Sequence, residues 1–432
     1  INISFDFGSK DDLSNKGISN FAFQLLHQQM YLDKKFINIF EGIGAQYSSN
    51  VSRESSSISL RFINTNNNLD TVSDSLGKML VNRTISNETF ELTKEAILKN
   101  IKSRDLDPAS LLSYKSNEEY FTSSSFAHPV SGYKETIKNI SAKDLINHLN
   151  NLLIKDGIKI SFVGDINRNQ ATSFISRILV EIPQDNFRKK TQEIYSYSES
   201  SRVININHDS EQTHISIMMP SVNREDEDFY NILVANYIFG GSGFGSMLMD
   251  EIRVKNGLAY SVYSYLMPYK DLGIIKIGMQ TENKNKQKAL NILTEQIQKF
   301  QKFDINEDKI EAAKLGLLRS FELRFDTNKK ILSTLSAIND LDMHKNYFEK
   351  YINGIQKVNK KSILKKIFIK ICRWLNYEII DQNSFTSPTL DKVLNEDLSI
   401  LNDKSIVLPL GEVKISRKVK SILILFRTNS NI

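Results

Sequence analysis

A chain of 432 residues, 40% hydrophobic and 25% charged, has the length for at least two domains and enough apolar material for a large core. Net charge is +6, but basic and acidic residues are interleaved along the chain and form no basic block, which argues against nucleic acid as the ligand. The single cysteine, Cys372, excludes an intrachain disulfide framework and a cysteine-rich zinc site. No apolar run approaches the ~18 residues of a membrane span, so no transmembrane segment is expected. The chain opens at Ile1 on a strand-like segment. The expectation is that a signal or transit peptide has been removed upstream, or that the gene model is fragmentary.

In chain order, an alternating strand is expected from Asn2 to Phe7, then a helix from Lys16 to about Leu32. GIGAQYSSNVSRES and the alternating SISLRFI follow, then a helix near Thr71 to Val81. The turn SNETF opens a long helix from Glu91 to Lys102, and the half closes with YKETIKNISAKDLINHLNNLL and the strand IKISFVGDI. A second half repeats this order. HISIMMP (His214 to Pro220) precedes a helix from Asp226 to Phe239, KNGLAYSVYSY stands in the place of GIGAQYSSNVS, and IIKIGM in that of SISLRFI. A helix from Lys286 to Phe300 follows, INEDKIEAAKLGLLRSF mirrors SNETFELTKEAILKNI, and YINGIQKVNKKSILKKI mirrors YKETIKNISAKDLINHL.

Repeated β-α-β-β-α-α units predict an α+β chain of two homologous domains, each a mostly antiparallel sheet covered by helices. Their expected extents are 1–185 and 203–381, joined by a polar linker at 186–202. NYEIID (Asn376 to Asp381) is the candidate last strand of the second domain. Residues 382–432 have no counterpart in the first half. They read as an extension packed on the domain, as a short surface for a membrane or partner, or as an altered reading frame.

The segment FGGSGFGSMLMDEIRVKNGLAYSVYSY (Phe239 to Tyr265) carries the most information. A Gly-rich turn feeds a short helix bearing Arg253, and Tyr260 follows seven residues later at the start of a strand. Several fixed guanidinium donors and a phenolic hydroxyl, delivered together beside a turn, suit a grip on peptide backbone. The segment resembles the C-terminal half of insulinase/pitrilysin-family zinc metallopeptidases, including mitochondrial processing peptidase, and weaker similarity extends over about residues 1 to 380. The resemblance implies that Arg253 and Tyr260, with Gly241 and Gly243 of the turn, bind substrate. Met247 departs from it, standing where many relatives place a basic residue.

Active members of that family carry His-x-x-Glu-His on a helix of the first domain and a second glutamate on a later helix. The histidines hold zinc, and the glutamate of the motif takes a proton from the metal-bound water. Here the matching helix reads KGISNFAFQLLHQQ, and the motif positions fall on Asn20, Phe23 and Gln24. The distal position falls on or beside Asn100. Neutral amides are poor zinc ligands and Phe23 has no proton acceptor. His27 offers no substitute, since HQQMY lacks both the glutamate and a second histidine.

Other candidates are weaker. HDSEQTH (His208 to His214) reads as part of an alternating strand, where His208, Glu211 and His214 cannot share a face. His128 in SFAHPVSGY has a structural expectation. Gly240, Gly241, Gly243 and Gly245 suggest a phosphate cradle, but no Lys-Ser/Thr follows and no strand immediately precedes. The resemblance therefore implies a non-catalytic, peptide-binding subunit of a heteromeric zinc endopeptidase. Zinc would sit in a partner with an intact motif, and none in this chain. The alternatives are a stand-alone peptide-binding or scaffold protein, and an active peptidase with an unusual site. The expected setting is the bacterial periplasm or another exported location, or alternatively an organelle.

Overall fold

The computed structural model describes residues 1–122, 124–155, 157–183, 202–302, 305–341, 343, 346–363, 407–408, 411–412 and 422–427. A four-stranded and a five-stranded sheet organise the chain. Their strands are β1 (Asn2–Phe5), β2 (Gln46–Val51), β3 (Ser56–Arg61), β4 (Ile158–Ser161), β5 (Arg202–Asn207), β6 (Gln212–Ser221), β7 (Val262–Pro268), β8 (Gly273–Glu282) and β9 (Ile422–Arg427). The first sheet runs β2-β3-β1-β4 and the second β5-β9-β6-β8-β7. In the first, β1 lies antiparallel between β3 and β4, with Ile3 opposite Ile58 and Ile160. In the second, β6 lies antiparallel between β8 and β9, with Ile217 opposite Ile277 and Leu423. The α+β repeat is therefore present in both sheets, with one parallel pair, β5 on β9.

The candidate strand at 376–381 lies outside the described residues, as do Cys372 and the linker from 186 to 201. The position beside β6 that corresponds to β4 beside β1 is occupied by β9, from the tail that had no expected counterpart. One compact unit comprises Ile1–Leu106, Ser123–Ile194 and Glu322–Tyr347, and the other Asp107–Thr122, Tyr195–Phe321 and Phe348–Ile432.

The interleaving follows from two helices that cover sheets built by the other half of the sequence. Helix Asn328–Asp340 packs along β1 and β4. Ile3 and Phe5 enter the main core of this unit, yet Asn2 and Ser4 on the opposite face are buried too. Ser4 Oγ donates to Asp340 Oδ1, and Lys159 Nζ on β4 donates to the Asp340 carbonyl at 3.0 Å. In the second unit, helix Pro108–Tyr120 packs against β6. It starts on an Asp107 carboxylate that accepts from Ser110 N at 2.7 Å, with proline at its first position. The buried Lys276 of β8 donates to Ser113 Oγ on that helix at 3.2 Å.

Helix Ile18–Leu26, which carries the motif positions, is held at its start. The Asp12 carboxylate accepts from Gly17 N at 2.7 Å and Ser19 N at 3.0 Å. Gly17 has φ +97°, and a Cβ on Gly132 would lie 2.1 Å from the Lys16 carbonyl, so side chains are excluded at this crossing. The helix ends earlier than expected because the chain turns into a small hairpin, Met30–Tyr31 against Lys34–Lys35.

His128 fixes the same region. Its ring lies between two carbonyls, Nδ1 3.0 Å from Pro129 O and Nε2 2.9 Å from Ser9 O, and Arg53 Nη1 donates to the His128 carbonyl at 3.0 Å. Burial lowers its pKa to about 4. The unfolded imidazole titrates near ~6.5, so between these values the unfolded chain binds more protons. The stabilisation is full above about pH 6.5 and is lost as pH falls towards 4, by at most ~3 kcal/mol. We expect His128→Asn to lose less stability than the parent across that window, read as the difference between the two chains in urea midpoints at pH 7 and 4.5. Parallel losses would show that His128 does not titrate on unfolding.

Candidate functional site

The motif positions on helix Ile18–Leu26 lead separate lives. Phe23 is only 1% exposed and stands in an aromatic cluster, edge-on to Phe5 at 5.7 Å and to Phe7 at 5.6 Å between centroids. Asn20 and Gln24 bond to each other, Gln24 Nε2 donating to Asn20 Oδ1 at 3.2 Å. Asn100 is exposed on helix Asn87–Leu106. A base position filled by a core aromatic and two amides paired with each other do not fit a catalytic zinc.

HDSEQTH is not part of one continuous strand. His208 follows β5, His214 lies in β6, and residues 208–211 join them. Among the described residues, no group of three or more His, Cys, Asp or Glu side chains has metal-binding geometry.

The Arg–Tyr segment is built differently. Helix Phe229–Asn236 continues into a π-helical turn, Tyr237–Gly241, closed by Ser242 N donating to Tyr237 O at 3.0 Å. This turn is locked to β7. Ser264 Oγ donates to Asn236 Oδ1 at 2.8 Å, Asn236 Nδ2 donates to Ser264 O at 3.3 Å, and a Cβ on Gly240 would lie 2.6 Å from Ser264 N. Gly241 packs back on its own helix, where a Cβ would meet Asn236 Nδ2 at 3.0 Å. Gly243 has φ +68° with open space around it, so conformation and not contact calls for glycine.

Ser246 then starts the next helix, its Oγ accepting from Met249 N at 3.3 Å and donating to Gly243 O at 2.7 Å. The π-helical stretch Met249–Lys255 carries Arg253. Such turns are frequent at functional sites. Gly257, at φ +61°, ends it, and Gly257 N donates to Arg253 O at 2.9 Å. Tyr260 lies two residues before β7.

Together these elements hold Arg253 and Tyr260 side by side. The Arg253 guanidinium carbon lies 4.6 Å from the Tyr260 ring centroid and 4.6 Å from that of Phe244. Tyr260 is 75% and Phe244 69% exposed. Tyr260 is therefore not a core residue. Among the described residues Arg253 has no carboxylate within ion-pair range; Lys255 engages Asp250 at 3.1 Å and Glu251 at 2.8 Å. Phe244 was not singled out from sequence, although one large aromatic among the glycines of that turn is the signal that marks it. Tyr263 and Tyr265 on β7 stack on each other at 5.6 Å, and burial raises the pKa of both.

Two family models cover most of the chain: one described as insulinase (peptidase family M16) at residues 1–132, and one as the peptidase M16 inactive domain at 139–317. The chain belongs to the insulinase, or M16, peptidase family. It is similar to a protein of Helicobacter pylori named non-peptidase homolog YmxG, 24% identical over 359 residues that cover 82% of each chain. It shares its fold with a crystal structure of a peptidase M16 inactive domain from Pseudomonas fluorescens, with TM-score 0.81, 19% identity, and coverage of 100% of this chain and 92% of that one. It also matches a chain of complex III2 from Candida albicans, with TM-score 0.72, 16% identity, and coverage of 86% and 88%. With its motif positions filled as described, the chain is a non-catalytic, peptidase-like member of the family.

The Phe23 environment generates a direct test. Placing a carboxylate there removes an aromatic core side chain and buries a charge, so Phe23→Glu should cost at least ~3 kcal/mol in urea unfolding. A loss under ~1 kcal/mol would mean that the position faces solvent.

Proposed function

We propose that this chain is the non-catalytic, peptide-binding subunit of a heteromeric zinc endopeptidase, and that Arg253 and Tyr260 grip substrate backbone near a zinc held by a partner subunit. The reading rests on one observation. An arginine without an acidic partner among the described residues and a tyrosine kept in solvent are held together by a locked turn, in a chain whose motif base position is a core phenylalanine. Both side chains donate hydrogen bonds, so carbonyl oxygens along an extended peptide are their natural acceptors. The same donors suit an oxyanion developing on a partner-bound substrate. The turn at Gly243 lets backbone approach substrate without a side chain between them.

The strand β2 supports the same reading independently. Among the described residues it is the terminal strand of its sheet and pairs only with β3, and it exposes Gln46, Ser48 and Asn50. An unpaired strand edge with small polar side chains suits main-chain pairing with an extended peptide. The non-peptidase name of the Helicobacter pylori relative agrees with a non-catalytic role. The partner expected is an M16-family chain with intact His-x-x-Glu-His.

The test uses quenched fluorescent peptides and metal analysis on this chain alone, on its intact-motif relative alone, and on the mixture. We expect no zinc and no turnover in this chain alone, and turnover on mixing that falls at least tenfold with Arg253→Ala or Tyr260→Phe while the complex persists. Peptide binding with no gain of activity on mixing would favour a stand-alone binding protein. Stoichiometric zinc with turnover in the isolated chain would overturn the reading.

A further inference from the structure

Arg253 is held in a way that a plain backbone grip does not require. Its guanidinium lies over two rings, Phe244 and Tyr260, 4.6 Å from each centroid. Neither ring is spent on the core, being 69% and 75% exposed. The acids within one helical turn are already engaged, since Lys255 bonds both Asp250 and Glu251. What remains is a guanidinium beside two exposed rings that has no carboxylate within ion-pair range among the described residues. A guanidinium so held presents two parallel donors in one plane. That geometry matches a carboxylate more closely than a single carbonyl oxygen. The rings also displace water beside the charge, which strengthens an ion pair made there relative to one in open solvent.

We propose that Phe244, Arg253 and Tyr260 form a carboxylate clamp that selects peptides carrying an acidic residue at the position facing Arg253. The proposal rests on the peptide-binding reading and adds a side-chain preference to it. Arg253 makes the bidentate contact, while Phe244 acts as a positioning residue by holding the guanidinium plane. The occupant is an extended peptide with a Glu or Asp, since a cation without a carboxylate partner among the described residues, flanked by exposed aromatic surface, complements an anionic side chain on a partly apolar chain. Charge alone does not suffice, because a lysine ammonium has no fork and stacks poorly on a ring.

The test measures fluorescence anisotropy of the full chain with two fluorescein-labelled decapeptides of Ala, Thr and Val, identical except for a central Glu or Gln. The clamp predicts that the Glu peptide binds at least fivefold more tightly. The ratio should approach one in Arg253→Ala, fall by more than half in Arg253→Lys and Phe244→Ala, and recover in Phe244→Tyr, which restores a ring of the same kind. The ratio is insensitive to a general loss of fold, which would weaken both peptides alike. Equal affinity for the two peptides in the parent chain would overturn the clamp and leave the peptide-binding reading standing. A full ratio retained in Phe244→Ala or Arg253→Lys would overturn the stacked-fork geometry. No binding of either peptide at millimolar concentration would overturn the peptide-binding reading and the clamp together.

Discussion

The constraint on which the fold depends is that β1 and β6 each have strands on both sides and side chains buried on both faces. A strand so placed cannot leave a polar face to water, and in β1 both Asn2 and Ser4 are buried. Two-faced burial needs a second layer. The chain supplies it by exchange: helix Asn328–Asp340 covers β1, and helix Pro108–Tyr120 covers β6. At each, a sheet lysine, Lys159 or Lys276, hydrogen-bonds to the incoming helix. The buried Lys276 would be costly without such an acceptor. These contacts therefore satisfy the sheet and favour the correct helix over a merely apolar one. Each half of the sequence depends on the other for a complete layer, so neither half is an independent folding unit in the simple sense.

Within that frame the two repeats spend equivalent residues on different ends. GIGAQYSSNVS and KNGLAYSVYSY align so that Gly44 matches Gly257 and Tyr47 matches Tyr260. Both glycines are left-handed, with φ +69° and +61°, so the local turn is the same. The tyrosines are not used alike. Tyr47 stacks on Phe40 at 5.6 Å and packs against His27 at 4.9 Å, whereas Tyr260 stands in solvent against Arg253. Exposing so large a ring forgoes a burial gain of about 2 kcal/mol. The second repeat forgoes it at Tyr260 and again at Phe244, which singles out this place on the surface.

Much of this was readable in the residues. The repeat, the central strands and the paired long helices follow from period and turn chemistry, and the failed zinc motif follows from residue identity at Asn20, Phe23 and Gln24. The exchanged helices were not read, although Asp107-Pro108 is a plain helix start. Local signals give an element's existence, whereas which sheet it covers is decided by long-range packing. The tail strand β9 escaped for a related reason. ILILFR has strand character, but nothing local says that it belongs beside β6. HDSEQTH was misplaced because alternation continued across a turn. Phe244 was passed over because a Gly-rich turn draws attention to backbone freedom and away from its one aromatic side chain.

The loss of the zinc chemistry and the form of the Arg–Tyr site fit one physical economy. A catalytic helix must direct ligands out of its core, which forgoes apolar burial. With Phe23 in the base position, this helix instead joins the Phe5–Phe7 cluster and strengthens the packing beneath it. Holding Arg253 in place requires something else: a rigid base beneath it. Asn236, Gly240 and Ser264 supply that base through two hydrogen bonds and a contact that admits no side chain. Two exposed rings then fix the cation's direction without neutralising it. An ion pair would have held Arg253 equally firmly, but it would also have consumed the charge that a ligand needs. Aromatic stacking is the arrangement that orients a guanidinium and leaves its hydrogen-bonding edge free.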